Sequence, residues 1–201
     1  EEYVEITKRF DDSLVAGIEL NISCPNVKRG GMEFGNDPIM TAGVVSACRN
    51  ATSKPIITKL SPNQSDIKKS AQACIDSGTD ALSVINTISG MAIDIEKKEP
   101  VLGNRAGGLS GPAIKPIALL KVFDVFTVAQ KHNIPILGQG GVSNANDAIE
   151  FILAGSTTIG IGTALFFDPL VCSKINNGIA SYMEQQGHAS LQEMIGGAHT
   201  K

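Results

Sequence analysis

The sequence predicts an α/β fold, a (β/α)8 barrel of the TIM type, of which the 201 residues cover about strands 4 to 8. Short runs rich in Ile, Val and Leu alternate with helical segments, which is typical of a parallel sheet covered by helices. Polar residues follow nearly every predicted strand, and glycines follow the last two, where barrels commonly bind phosphate. An open, doubly wound sheet of five strands is the alternative architecture.

A helix over 1–15 precedes the repeating units. The predicted strands, bounded by Gly, Pro or Ser, are 17–23, 55–60, 81–86, 134–138 and 157–162. The predicted helices are 38–51, 65–77, 113–132, 145–154 and 168–186. Because a barrel needs about 250 residues, we expect a single domain over 1–201 that lacks its first three strands. Made alone, this chain is expected to be unstable and inactive, since two sheet edges would stay unpaired.

Composition narrows the class of protein. Apolar residues make up 42% and charged residues 18%, which indicates a globular domain. The net charge of −3 without a basic run argues against nucleic acid or an anionic membrane as partner. No apolar stretch reaches the roughly 18 residues that a membrane span requires. The four cysteines, none of which forms a C-x-x-C pair, fit a reducing environment, so we expect a cytoplasmic protein.

The cysteines give no sign of a metal or a dithiol. None of the four forms a C-x-x-C pair, and His, Cys and carboxylate residues do not converge at metal-ligand spacing. Cys48, Cys74 and Cys172 lie within predicted helices, so we expect them to pack in the core. The prediction for metal sites is none.

A polar cluster follows the first predicted strand. Asn21, Ser23, Cys24 and Asn26 are succeeded by a glycine-rich loop. Amides both donate and accept hydrogen bonds, and a thiol whose pKa suits the step can move a proton. Cys24 is thus a candidate base, and a buried strand-end cysteine is the alternative.

The next two strands also end in polar residues. Lys59 lies in an apolar run, so it needs an anionic partner, a cofactor or a lowered pKa. It could hold a cofactor anion or form a Schiff base, or it could reach solvent from an edge. Asn86 and Thr87 end the third strand, where an amide and a hydroxyl can bind a planar ligand or form a simple turn.

Glycine turns follow the last two strands. Gly138, Gly140 and Gly141 follow one, and Gly160 and Gly162 the other. Bare backbone amides at such points can surround a phosphate, although the glycines could serve tight turns alone. A G-x-G-x-x-G fingerprint is missing, which disfavours a Rossmann fold. The segment 88–112 is too long for an ordinary βα loop and is either a surface excursion or a lid.

Several motifs in one order resemble the dihydroorotate dehydrogenase family, within it class 1B, over about Ile18 to Pro169. They are Asn21-Ile-Ser-Cys-Pro-Asn-Val27 with Gly30-Gly31 and Phe34-Gly35, Lys59-Leu-Ser-Pro-Asn63, Ile85-Asn-Thr87, Gly107-Gly-Leu-Ser-Gly-Pro-Ala-Ile-Lys-Pro116 and Gly140-Gly-Val142. The resemblance implies an FMN-binding barrel that oxidises dihydroorotate to orotate in pyrimidine (UMP) biosynthesis.

The resemblance also implies roles for individual residues. Cys24 would remove the proton from C5 while hydride leaves C6 for FMN. The implied substrate-binding residues are Asn21, Asn26, Asn86 and Thr87. The implied FMN-binding residues are Lys59, Ile85, Gly111, Gly140, Gly141, Gly162 and Thr163. Ser61 and Asn63 would support the site.

Class 1B implies a partner subunit that carries FAD and a 2Fe-2S cluster and passes electrons to NAD. It also implies a homodimer of the present subunit within a heterotetramer. One alternative is another FMN-dependent pyrimidine oxidoreductase, similar to dihydropyrimidine dehydrogenase. A second is a flavin-free phosphate-binding isomerase or aldolase that uses Lys59, and a third is a fragment without catalytic activity.

Overall fold

The computed structural model describes residues 1–23 and 36–199. The strands are, in chain order, β1 (Ile18–Asn21), β2 (Ile56–Leu60), β3 (Ala81–Val84), β4 (Ile88–Gly90), β5 (Ile93–Asp94), β6 (Glu99–Pro100), β7 (Gly107–Leu109), β8 (Ile136–Gln139) and β9 (Thr158–Gly160). The α-helices are α1 (Glu2–Asp11), α2 (Pro38–Arg49), α3 (Ile67–Asp76), α4 (Lys115–Ala129), α5 (Ala145–Ala154) and α6 (Val171–Gln186).

One parallel sheet forms the centre of the molecule, with the strand order β1-β2-β3-β8-β9. Every strand pairs with the next sheet strand along the chain, and a helix lies between each two of them. The register pairs Asn21 with Lys59, Lys59 with Ser83 and Gln139 with Gly160. The carboxyl ends of all five strands therefore lie at one edge, where α/β barrels keep their functional residues.

An apolar core joins the strands to the helices. Ile22, Ile56, Leu60, Leu82 and Ile136 are among the largest fully buried side chains. In β1 and β2, buried residues alternate with less buried ones such as Glu19 and Lys59, so only one face of these two strands is fully covered. Among the helices, α2 packs on α3 and α4 packs on both α3 and α5.

Helix starts follow the side chains that cap them. Asp37 accepts a hydrogen bond from the N–H of Ile39 at the start of α2, and Asp66 accepts from the N–H groups of Lys68 and Lys69 at the start of α3. Asn144 accepts from the N–H of Asp147 at the start of α5. These oxygens satisfy N–H groups that have no partner within the helix, so the predicted helices begin close to the observed ones.

Two antiparallel pairs build the excursion between β3 and α4. β4 pairs with β7, and β5 pairs with β6. Its large apolar side chains are exposed: Met91, Ile93, Ile95, Val101, Leu102 and Leu109. The interpretation as a surface excursion describes most of the segment, whereas its last residues return to the sheet.

Two predictions about individual elements need correction. Cys48 and Cys74 are buried as expected, but Cys172 is exposed. The last helix was expected from residue 168 and begins at Val171, after a 3-10 helix at Thr163–Phe166. No helix in the described part of the chain is long and apolar enough to cross a membrane.

Candidate active site

A cavity of about 410 Å³ lies at the carboxyl ends of the sheet strands. Its size falls within the usual range for cofactor and substrate sites. The lining residues that the sequence had singled out are Lys59, Ile85, Asn86, Thr87, Gly111, Gly140, Gly141, Gly162 and Thr163. One cavity thus brings together residues of the second to fifth strand ends. Cys24 and Asn26 lie outside the described residues.

A hydrogen-bonded cluster joins the ends of β1, β2 and β3 beside this cavity. The Asn86 amide nitrogen donates to Asn21 Oδ1 and to Ser23 Oγ, each at 2.9 Å. The Ser23 hydroxyl in turn donates to the Lys59 carbonyl oxygen at 3.2 Å. The amides at the ends of β1 and β3 are consequently held together across the end of β2. Their donors and acceptors could bind a ligand in place of one another.

Ser61 and Asn63 support this cluster from the loop after β2. The Asn63 side chain donates to the Thr87 carbonyl oxygen at 3.2 Å, and its Oδ1 accepts from the N–H of Ser89 at 2.9 Å. Ser61 Oγ accepts from the N–H of Asn63 at 3.1 Å. The Asn63 side chain therefore holds the backbone just after Asn86, and Ser61 holds Asn63 in turn. These contacts are compatible with the supporting role predicted for Ser61 and Asn63.

Lys59 has a carboxylate partner that the apolar pattern of its strand did not reveal. Its Nζ lies 3.3 Å from Glu19 Oε1, and the two side chains are 20% and 34% exposed. Glu19 comes from β1, one strand away. Lys59 thus lines the cavity, and among the described residues its ammonium group pairs with Glu19 at a long distance.

Three glycines at the cavity have backbone conformations that other residues rarely adopt. Gly111, Gly140 and Gly141 have φ values of +89°, +129° and +83°. A Cβ atom on Gly141 would lie 2.8 Å from the Gly111 carbonyl oxygen and 2.9 Å from the Lys115 nitrogen. These two turns therefore touch backbone to backbone, which only glycine permits.

Backbone donors face this glycine-lined corner from two strands. Among the described residues, no acceptor pairs with the N–H of Gly141 or Val142. Thr163 and Ala164 open a 3-10 helix, so their N–H groups also have no partner within it. All four residues line the cavity. Free N–H groups of this kind suit a phosphate, because they supply hydrogen bonds without a bulky side chain.

Two polar residues of the wall, Gln139 and Ser110, had no predicted role. Gln139 lines the cavity and donates to the buried Ser83 hydroxyl at 2.6 Å. Ser110 accepts from the Thr163 hydroxyl at 3.0 Å, which joins the returning excursion to the last strand end. Gln139 directly follows the predicted strand 134–138 and precedes Gly140, which is the signal that could have identified it; in the structure it is the last residue of β8.

The wall includes one carboxylate, Asp168. The Lys174 ammonium donates to it at 2.6 Å and, with the N–H of Leu170, holds the pKa of that carboxyl below its ordinary value. No group of His, Cys, Asp and Glu in the described ranges could hold a metal ion.

The comparison with solved structures supports the fold. A crystal structure of the dihydroorotate dehydrogenase (DHODH) of Eimeria tenella, in complex with ferulenol, superposes with a TM-score of 0.82 at 21% identity. The match covers 98% of this chain and 57% of that one. Together with the strand order, it confirms the partial (β/α)8 barrel and excludes the open sheet as the preferred description.

Curated relatives are considerably closer in sequence. The proteins of Pelobacter propionicus and Trichlorobacter lovleyi are 51% and 52% identical over 197 residues, and that of Desulforamulus reducens is 48% identical over 200. All three are named "Dihydroorotate dehydrogenase B (NAD(+)), catalytic subunit". The chain spans about 64% of their length while 98% or more of it is aligned.

The family assignment covers most of the chain. The family model described as "Dihydroorotate dehydrogenase" matches residues 1–183, which include every strand and the whole described cavity. The match agrees with the resemblance carried by the motifs around Asn21, Lys59 and Gly140. This chain belongs to the dihydroorotate dehydrogenase family.

Proposed function

We propose that this chain carries the flavin-binding and pyrimidine-binding part of an enzyme that oxidises dihydroorotate to orotate in pyrimidine biosynthesis. One observation carries the proposal: the Asn21–Ser23–Asn86 cluster adjoins a glycine-lined cavity of about 410 Å³. A pyrimidine-binding end and an anion-binding end thus belong to one site. The names of the relatives support the same reaction.

The amide cluster is suited to the substrate. Dihydroorotate presents carbonyl oxygens, N–H groups and a carboxylate around one ring, and amides can match all three. Asn86 holds Asn21 in the structure, so a ligand that binds both would replace this hydrogen bond by two of its own. Thr87 would add a hydroxyl at the same strand end, and Asn26 would add a third amide.

Cys24 is the proposed base. Oxidation breaks the C5–H and C6–H bonds and forms a C5=C6 double bond. The Cys24 thiolate would take the C5 proton, and the electron pair would leave with hydrogen from C6. In the sequence, Cys24 directly follows Ser23, whose hydroxyl donates to the Lys59 carbonyl oxygen of β2.

The glycine-lined end fits FMN. The N–H groups of Gly141, Val142 and Thr163 would bind the phosphate, and Gly111 and Gly140 would let the backbone approach it closely. Lys59 would place positive charge beside the ring system, with Ile85 as an apolar contact and Gly162 leaving open space. FMN supplies, when bound, the acceptor of the hydride from C6.

We further propose that electrons leave the flavin for NAD through a partner subunit that carries FAD and a 2Fe-2S cluster. The words "NAD(+)" and "catalytic subunit" in the relatives' names support this. A homodimer within a cytoplasmic heterotetramer would be the assembly. Purified without the partner, this chain completed by the unmatched part of the Pelobacter propionicus relative should reduce its flavin with dihydroorotate but should not reduce NAD, and addition of the partner should restore NAD reduction.

The test uses a chimera in which this chain is joined to the unmatched part of the Pelobacter propionicus relative. The chimera is mixed anaerobically with dihydroorotate, and flavin absorbance is followed. We expect rapid bleaching, strong slowing in Cys24→Ala and partial activity in Cys24→Ser. Cys172→Ser is the matched control, because Cys172 is exposed and outside the cavity, and it should behave as the parent does.

Other outcomes would favour other functions. Bleaching by dihydrouracil but not by dihydroorotate would favour an enzyme similar to dihydropyrimidine dehydrogenase. A preparation without flavin that cannot be loaded with FMN would contradict the proposal. Borohydride trapping of a carbonyl substrate on Lys59 would then favour the flavin-free isomerase or aldolase.

A further inference from the structure

A buried carboxylate lies behind the glycine-lined corner of the cavity. Asp147, in the first turn of α5, is 6% exposed. Its Oδ2 accepts hydrogen bonds from the Ser143 N–H at 2.9 Å, the Ser143 hydroxyl at 2.8 Å and the Asn144 amide at 2.9 Å. Its Oδ1 accepts from Lys115 Nζ at 2.7 Å. One side chain thus gathers four donors from two segments.

These two segments are the turns that meet at the cavity. Ser143 ends the turn that begins with Gly140, and Lys115 opens α4 directly after the turn at Gly111. The same two turns touch at Gly141, where a Cβ would lie 2.9 Å from the Lys115 nitrogen. Ser143 lines the cavity, whereas Asp147 and Lys115 are not among its lining residues. The carboxylate therefore acts on the cavity through other residues.

The network pairs one ammonium group, that of Lys115, with the carboxylates of Asp147 and Glu150. Burial alone would raise the pKa of Asp147, but the hydrogen bonds from Lys115 and Ser143 outweigh burial and hold it below its ordinary value. Hydrogen bonds to Asp147 and Glu150 raise the pKa of Lys115. Glu150 Oε2 lies 2.9 Å from Lys115 Nζ. The carboxylate and the ammonium are therefore both charged at neutral pH.

We propose that Asp147, held by Lys115, is a positioning residue that fixes the turn from Gly140 to Ser143 against the start of α4 in the form that binds the flavin phosphate. The inference rests on the proposed function. A turn that contains two consecutive glycines, Gly140 and Gly141, would otherwise lose entropy on binding, and prior fixing removes that cost. Ser143 is the anchor, and Asp147 is what holds it.

Two other roles for Asp147 predict different results. A helix cap for α5 would stabilise the fold and affect every flavin equally. A carboxylate near a phosphate would instead repel it, so its removal would tighten FMN binding. Only the positioning role predicts a loss that is specific for the phosphate.

The experiment compares FMN with riboflavin, which lacks the phosphate. Dissociation constants are measured by quenching of flavin fluorescence in the apo chimera and in Asp147→Asn. We expect FMN to bind at least about tenfold more weakly, or about 1.4 kcal/mol, while riboflavin changes by less than about threefold. An equal loss for both flavins, or tighter FMN binding, would overturn the proposal.

Asp80→Asn is the matched control. Asp80 also joins a cation to a backbone amide, with Arg49 Nη1 at 2.9 Å and the Ile56 N–H at 2.8 Å. It precedes β3 and so lies at the opposite end of the sheet. Its loss should leave the FMN-to-riboflavin ratio unchanged, even where it lowers the melting temperature.

Lys115→Gln keeps the test decisive if Asp147→Asn folds poorly. It should reduce the FMN-to-riboflavin affinity ratio in the same direction, and the double variant should be no worse than the stronger single one. Additive losses would show that Lys115 binds the phosphate itself and would refute its action through Asp147. If the parent chimera binds FMN and riboflavin equally, the proposed phosphate site is wrong. If the parent prefers FMN and Asp147→Asn keeps that preference, the phosphate site stands and only the positioning role of Asp147 is wrong.

Discussion

Gly141 and Gly162 offer a test of the cavity because an added methyl group should destabilise the fold at Gly141 but not at Gly162. At Gly141, a Cβ would lie 2.8 Å from the Gly111 carbonyl oxygen and 3.0 Å from the Lys115 Cβ, and φ is +83°. At Gly162, a Cβ would meet nothing within 4 Å, and φ is −115°. Gly141→Ala should therefore disturb the protein itself, whereas Gly162→Ala should only occupy space within the cavity.

The size of the first effect follows from the backbone conformation. An alanine in the left-handed region costs about 1–2 kcal/mol. For a domain of about 200 residues, each kcal/mol lowers the melting temperature by about 2–4 °C. Gly141→Ala should therefore melt about 2–8 °C lower from this cost alone, and the overlap with Gly111 and Lys115 adds to it. Gly162→Ala should stay within about 2 °C of the parent.

Thermal melts of the apo chimera and FMN titrations separate the two effects. Gly141→Ala should lower both the melting temperature and FMN affinity. Gly162→Ala should lose at least about tenfold in FMN affinity with its apo melting temperature retained. Unchanged melting of Gly141→Ala would refute the reasoning from φ and contact. Unchanged FMN affinity of Gly162→Ala would show that flavin does not occupy the space beside Gly162.

Three further predictions concern stability and the thiols. Gly43→Ala, on an exposed part of α2 with no atom within 4 Å of its Cβ, should raise the free energy of unfolding by about 0.5–1 kcal/mol in urea titrations, and a decrease would contradict the helix assignment. Because the pKa of Asp147 is lowered on folding, its stabilisation is complete above the unfolded value of about 3.9 and is lost as the pH falls through the folded value. Urea midpoints should therefore drop between about pH 6 and pH 3 by more in the parent than in Asp147→Asn, and equal drops would exclude Asp147 as a source. In the native protein, a thiol reagent should label Cys172 rapidly and Cys74 only on unfolding, because burial raises the pKa of the Cys74 thiol to about 12. Peptide mass spectrometry of the parent and of Cys172→Ser measures the labelling of each cysteine. Early labelling of Cys74 would contradict its burial.

The elements that the sequence predicted well are those with local signals. Asp66 and Asn144 cap helices near the predicted starts, and apolar runs such as Ile56–Leu60 form buried strands. The last helix starts later than expected because Asp168 accepts a hydrogen bond from the N–H of Leu170 at 3.0 Å. Such a turn keeps the chain outside the helix for two more residues.

The exposure of Cys172 could have been predicted from helical periodicity. Val171 and Ile175 are the buried residues of α6, and residues four apart share one face of a helix. Cys172 lies one position, or about 100°, away from Val171. Membership of a helix does not imply burial, and the position within the helical period decides it.

The contacts that build the site could not be predicted from local sequence. Asn21 and Asn86 are 65 residues apart, and Ser110 and Thr163 are 53 apart. They meet only because parallel strands bring their carboxyl ends to one edge. The sequence could therefore identify the residue types at each strand end, but not which side chains pair. The partner of Lys59, Glu19, comes from β1, and no local signal linked it to a lysine 40 residues further along the chain.

The two lysines near the cavity differ in how firmly they are held, and this bears on which one can serve a ligand. Lys115 contacts Asp147 at 2.7 Å and Glu150 at 2.9 Å, and the Asp147 side chain is only 8% exposed. Lys59 has one partner at 3.3 Å in a pair that solvent reaches. Exposed pairs contribute about 1 kcal/mol or less, whereas Lys115 is held by two carboxylates at shorter distances, one of them buried. A bound anion can therefore draw Lys59 away from Glu19 at little cost, while Lys115 stays committed to the fold.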